Sequence, residues 1–238
     1  MSKLLTVKNL RVAVADQTLL SNISLTINAG QLVAVMGANG AGKSTLARSL
    51  MGDPNYQVTA DQLSLLDQDL LALNLEQRAQ AGLAYIWQQA PALKGVELFT
   101  LLNLIQQIHD GDYDYQLAHD LLFREVNVGF SGGEKKLSEL VQVLNQQAKL
   151  LIIDELDSGL DIENLDKVIK VLQTVIKEQH LAILLITHSG ALLEQLKPDR
   201  ILVMRQGQII CQSQEVNQVL RTIKRYGYQK CASCPGCR

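Results

Sequence analysis

Residues 31–52 read QLVAVMGANGAGKSTLARSLMG. The apolar run LVAVM leads straight into glycine, the pattern of a strand buried on both faces. KSTLARSLM then reads as a helix closed by Gly52. Between them GANGAGKST (Gly37–Thr45) fits G-x-x-x-x-G-K-S/T, and the strand–loop–helix setting gives that pattern its meaning. Gly37, Gly40 and Gly42 let the backbone curl so that consecutive N–H groups face one anion. Lys43 can reach β- and γ-phosphates, the Ser44 hydroxyl is placed for Mg²⁺, and Thr45 stands against an α-phosphate. The candidate phosphate-binding set is Gly37, Asn39, Gly40, Gly42, Lys43, Ser44 and Thr45. A glycine-rich turn with an incidental lysine leaves the flanking strand and helix unexplained.

Outward from this stretch, strands and helices alternate. LAYIW, KLLIID and LAILLITH read as strands, and IENLDKVIKVLQTVIKEQ and SGALLEQL as helices. RILVMRQGQIICQ reads as a hairpin turning at Gly207, followed by a last helix in SQEVNQVLRTIKRYG. The fold class expected is α/β with a mainly parallel core sheet. LLTVKNLRVAV and SLTINAG add N-terminal strands. From about 89 to 134 the pattern turns helical, in LFTLLNLIQQIH and YDYQLAHDLLFREV with a DGDYDY turn between. This predicts a small inserted helical lobe. The expected division is one domain over 1–225 and a cysteine-containing tail over 226–238.

Composition narrows the function. The chain has 238 residues, is 47% hydrophobic and carries a formal charge of −2. That balance excludes a strongly basic nucleic-acid or polybasic membrane binder. No apolar run approaches a membrane span, and the N-terminus lacks a signal-peptide core. Three of the four cysteines fall in the last eight residues, which is no disulfide framework; a reducing cytoplasm is expected.

Two further motifs bear on chemistry. LLIIDELDSGLD ends an apolar strand on Asp154 and Glu155, at the edge where such sheets meet ligands. Asp154 suits Mg²⁺, and Glu155 can polarise an attacking water. A solvated acid pair at the sheet rim is the plainer alternative. VNVGFSGGEKK (Val126–Lys136) places a serine and two glycines at a helix start, a second anion-binding helix tip on one chain.

Together these motifs resemble the ATP-binding cassette (ABC) family over about residues 3–225. The resemblance implies a P-loop fold with an antiparallel N-terminal β-subdomain. It implies Mg-dependent hydrolysis of ATP between two copies of the chain. Ser131, Gly132 and Gly133 would then close over the ATP held by a second copy. Gln88 matches the family's glutamine loop, which senses Mg²⁺ and γ-phosphate, with Gln89 as the neighbouring alternative. Ser158 and Asp161 match a dimer-contact loop, and His188 matches the γ-phosphate switch. One departure is that RVAVADQTLL offers no aromatic to stack on adenine; Val12 or Val14 gives only apolar packing.

NVGFSGGEKK and DELDSGLDI are similar to SufC-type ATPases, which serve SUF iron–sulphur cluster assembly, more than to the LSGGQ and DEPTSALD of transporters. That implies a SufB/SufD-like scaffold as partner. The alternatives are the nucleotide-binding subunit of a membrane transporter and a nucleotide-binding structural subunit with little turnover. Gln88 and Ser131 lie close in sequence, so the lobe is trimmed relative to that resemblance, and Leu137 stands where an arginine is expected. In the tail KCASCPGCR, Cys231, Cys234 and Cys237 have metal-ligand spacing, with Cys211 as a candidate fourth ligand for an iron–sulphur cluster or zinc. A mobile tail with incidental thiols is the competing reading.

Overall fold

The computed structural model describes residues 3–88, 90–109, 116–157 and 160–233. The central sheet has the order β11-β10-β3-β9-β8-β7. Its strands are β7 (Leu83–Ile86), β3 (Leu32–Met36), β8 (Leu150–Asp154), β9 (Ala182–Ile186), β10 (Arg200–Arg205) and β11 (Gln208–Ser213). All neighbours are parallel except the β10–β11 hairpin. Every residue of β3, β8 and β9 is buried. Alternate residues feed two cores: Leu32, Ala34 and Met36 pack on one face, and Val33 and Val35 on the other. Burial on both faces is why these strands read as unbroken apolar runs.

Register decides where the chemistry sits. Val35 pairs with Ile186, Asp154 with Ile186, and Ile86 with Ile153. The carboxyl ends of β3, β9, β8 and β7 therefore reach one edge together. The residues that follow them, from Gly37, Thr187, Glu155 and Trp87 onward, emerge side by side.

A second sheet is antiparallel. β1 (Lys3–Val14) pairs with β2 (Gln17–Asn28), β4 (Gln57–Thr59) and β5 (Gln62–Leu65), and β5 pairs with β6 (Gln68–Asp69). The sequence reading finds β1 and β2 and misses the three short strands. They have few residues each, and two of them exist only through pairing with the distant β1, which no local pattern reports.

The helices are α1 (Lys43–Met51), α2 (Leu75–Gln80), α3 (Leu98–His109), α4 (Gly132–Leu144), α5 (Ile162–Gln179), α6 (Gly190–Leu196) and α7 (Val216–Tyr226). α1 ends on Gly52 in the left-handed conformation. Arg78, 4% exposed, covers that end: its guanidinium donates to the Ser49 and Leu50 carbonyls at 2.9 and 2.7 Å.

The helical lobe has its own small core of Leu98, Leu102, Ile105, Ala118, Leu121, Leu122, Val126, Phe130 and Val141. One expectation is corrected here. In the described part of YDYQLAHDLLFREV, from residue 116 on, a 3₁₀ turn over Gln116–Leu121, kinked at Ala118, stands in place of the helix. Residues 122–126 instead run against 96–99: Phe99 donates its N–H to Leu122, Leu98 to Arg124, and Val126 to Val96. Those pairings satisfy the backbone that a longer helix would have used. The DGDYDY turn lies outside the described residues.

Candidate functional site

The loop between β3 and α1 is glycine-dependent for a steric reason. A Cβ on Gly37 would lie 2.4 Å from the Met204 carbonyl oxygen, and one on Gly42 would lie 2.5 Å from the Leu20 side chain. Gly40 and Gly42 also have φ of +77° and +99°. No side chain caps α1. Its first N–H groups therefore face the cleft without a protein acceptor from a cap, as an anion site requires.

Lys43 is buried, with its ammonium donating to the Gly37 and Ala38 carbonyls at 2.9 and 3.1 Å. Burial lowers its pKa, and Glu155 and Asp154 act against that shift. An anion entering the loop would meet a lysine already held across it.

A cleft of about 750 Å³ gathers the predicted residues. Gly37, Asn39, Gly40, Gly42, Lys43, Ser44, Thr45, Gln88, Glu155 and His188 all line it, with Leu19, Ala38 and Tyr228 added. The Gln88 amide donates to one oxygen of Glu155, and His188 Nδ1 lies 3.5 Å from the other. Glu155 is thus held between a residue after β7 and a residue after β9. It adopts φ +56°, and its N–H donates to the Ile186 carbonyl at 2.9 Å. A left-handed glutamate is strained by about 1 kcal/mol or more, and such strain concentrates where side-chain direction matters.

Asp154 is 2% exposed. Its Oδ2 accepts the Tyr85 hydroxyl at 3.1 Å, and its Oδ1 has no hydrogen-bond partner. A buried carboxylate oxygen without a partner is costly. A divalent cation would satisfy it, and the Ser44 hydroxyl and Gln88 supply further hard oxygen donors. This donor set fits Mg²⁺. Burial first, then Asp154, pushes the Tyr85 phenol well up, so it stays a donor.

Other predicted residues stand apart from this cleft. Ser131, Gly132 and Gly133 do not line it. Ser131 is the N-cap of α4: its Oγ accepts the Glu134 N–H at 3.2 Å, and Glu134 accepts the Ser131 N–H at 2.7 Å. This capping box leaves the serine O–H proton available to an outside acceptor. Gly133 lets α4 approach α5, since a Cβ there would lie 2.6 Å from the Asn164 amide. Asp161 caps α5 through the Asn164 N–H at 2.8 Å and is exposed. The serine tip and the capped start of α5 therefore form one surface. Gln89 and Ser158 lie outside the described residues. Val12 is fully buried, which leaves Val14, 39% exposed, as the only one of the two valines able to meet a base.

Lys136 and Glu139 escape a motif reading. Both are buried on α4, 3.7 Å apart, and both grip the residue before Gln88. Lys136 donates to the Trp87 carbonyl, and Glu139 Oε1 accepts the Trp87 N–H at 3.1 Å. Burial lowers the lysine pKa and raises that of the glutamate. Charged residues inside α4 carry no local sign of a contact with a residue after β7; the lysine's place in EKK is the one available signal.

The tail gives little support to a metal centre. Cys231 is fully buried in the core, and Cys211, buried on β11 in the same cluster, is disulfide-bonded, which corrects the expectation of a free thiol and removes it as a fourth metal ligand. Cys234 and Cys237 lie outside the described residues. Among the described residues no group of three or more His, Cys, Asp or Glu side chains is arranged to hold a metal. No described helix is long and apolar enough to cross a membrane.

Residues 20–158 match the family model described as ABC transporter. The chain is 36% identical over 226 residues to the probable ATP-dependent transporter SufC of Escherichia coli (strain K12), covering 87% of this chain and 91% of that one. It is 35% identical over 244 residues to the probable ATP-dependent transporter ycf16 of Antithamnion sp., covering 94% and 96%. In fold it is similar to MJ1267, an ATP-binding cassette of an ABC transporter in its ADP conformation. The TM-score is 0.79 at 20% identity, over 96% of this chain and 99% of that one. It is also similar to a dimeric post-hydrolysis state of the cassette MJ0796 bound to ADP and Pi, with TM-score 0.71 at 16% identity, over 88% and 97%.

Proposed function

The chain belongs to the ABC transporter family of ATP-binding cassettes and is an ATPase related to SufC, and from that premise we propose that it powers iron–sulphur cluster assembly on a SufB/SufD-like scaffold in the cytoplasm. The observation that carries this reading is the pair NVGFSGGEKK and DELDSGLDI, set beside the 36% identity to a protein named SufC.

In this reading the phosphate loop binds ATP, with Lys43 on the β- and γ-phosphates. Ser44, Asp154 and Gln88 would hold Mg²⁺, which would supply positive charge to the phosphate oxygens. Glu155 takes a proton from the attacking water, and His188 faces the γ-phosphate. Positioning and charge stabilisation supply the acceleration. Ser131 lies outside its own cleft, and its free O–H proton suits the γ-phosphate of a second copy. Two chains closing over two ATP molecules would move the scaffold to which they are attached.

The test is affinity capture from an anaerobic lysate with Glu155→Gln chain and ATP. Recovery of a β-helical scaffold, which in turn raises wild-type turnover, is the expected result. Recovery of a membrane permease alone would move the assignment to a transporter subunit.

A further inference from the structure

One wall of the ATP cleft comes from a segment that no cassette motif covers. After α7 the chain reverses at Gly227, φ +72°, and a 3₁₀ turn over Tyr228–Ser233 leads back toward the phosphate loop. Cys231 anchors that turn at 0% exposure, and Tyr228 packs partly buried against the same core. In a 3₁₀ turn residues three apart share a face, so burying Cys231 fixes the direction of Tyr228. Tyr228 lines the cleft together with Lys43, Glu155 and His188.

A second cavity, of about 580 Å³, lies between this turn and the loop; Ala38–Ala41 line it on one side and Tyr226–Gln229 on another. It touches the first half of the loop and neither Ser44 nor Thr45. The α-phosphate belongs at Thr45, and Gln88, Glu155 and His188 mark the opposite, γ-phosphate end. Tyr228 thus joins the cleft beside the first half of the loop, on a lining it shares with Lys43, Glu155 and His188. Burial, with Cys231 adding to it, raises the phenol pKa, so the group is a hydrogen-bond donor at neutral pH.

We propose that Tyr228 is a nucleotide-binding residue whose phenol donates to the γ-phosphate, so that the C-terminal segment distinguishes tri- from diphosphate. The proposal rests on the cleft being an ATP site. A hydrogen bond to a charged acceptor corresponds to roughly tenfold or more in affinity.

Calorimetric titration of the full-length chain with Mg²⁺ and either AMP-PNP or ADP separates the possibilities. The Tyr228→Phe variant should bind AMP-PNP about tenfold more weakly while its ADP affinity stays within about twofold of wild type. An unchanged AMP-PNP to ADP ratio would overturn the proposal, and so would an equal loss for both ligands. Tyr228→Phe keeps the ring and its packing, and its melting temperature, expected at the wild-type value, guards against misfolding. A wild-type chain that bound neither nucleotide would remove the ATP site itself, an outcome distinct from a failed selectivity.

Discussion

Glu155 owes its position to three neighbours: the Gln88 amide, the His188 ring and the Ile186 carbonyl that holds its backbone. Replacing its carboxylate with an amide keeps shape and removes the base. Glu155→Gln should lower ATP turnover by about 10²–10⁴-fold, with nucleotide affinity retained; steady-state phosphate release and equilibrium titration read the two quantities separately. Turnover unchanged by the substitution would contradict its role. Arg78 offers a stability counterpart far from the chemistry. Arg78→Met should cost about 1.5–3 kcal/mol in urea unfolding, because the Leu50 carbonyl loses its side-chain donor inside the fold and the Ser49 carbonyl keeps only the Gly52 N–H. A cost near zero would mean that water replaces the guanidinium.

At the scale of elements, α4 and β7 are joined through Trp87. The Lys136–Glu139 pair holds both backbone groups of that residue, and so ties the serine-bearing helix to the glutamine loop. Removing one charge strands the other. Lys136→Met should destabilise the fold by about 3–5 kcal/mol. The double variant Lys136→Met/Glu139→Leu should recover to within about 1 kcal/mol of wild type while turnover stays low, because Trp87 is then unheld. Full recovery of turnover in the double variant would show that the pair is structural only.

The pair also sets a pH signature. Burial raises the folded pKa of Glu139, so its neutral form favours folding. That contribution is complete below the ordinary carboxylate range and is lost as pH rises through the folded value. Glu139→Gln should therefore flatten the stability profile on the acid side of neutrality, measured as melting temperature against pH.

For the whole molecule, the decisive feature is that the phosphate loop and the Ser131 tip do not line one cleft. The cleft holds the phosphate loop, and the Ser131 tip lies outside it. Lys43→Ala and Ser131→Ala should each suppress turnover alone. Mixed in equal amounts they should regain roughly a quarter of wild-type turnover, since mixed dimers form half the population and each holds one intact composite site. Absence of any recovery would place Ser131 in service of its own nucleotide.

The phosphate loop, the acid pair at the end of β8 and the histidine after β9 were legible because each sits where a strand stops and its neighbours in sequence are part of the motif. The sequence alone also determined the alternation of strands and helices, since burial on both faces of β3, β8 and β9 leaves unbroken apolar runs. Tertiary structure decided what depends on partners distant in the chain. The strands β4 and β5 exist by pairing with β1, and β6 by pairing with β5. Residues 122–126 gave up a helix to lie along 96–99. Lys136 and Glu139 found Trp87 about fifty positions away, and Tyr228 reached the cleft from the same short turn that buries Cys231. Local propensity is written in neighbouring residues, whereas these contacts arise when register and core packing bring separate segments together, and no stretch of sequence carries that information by itself.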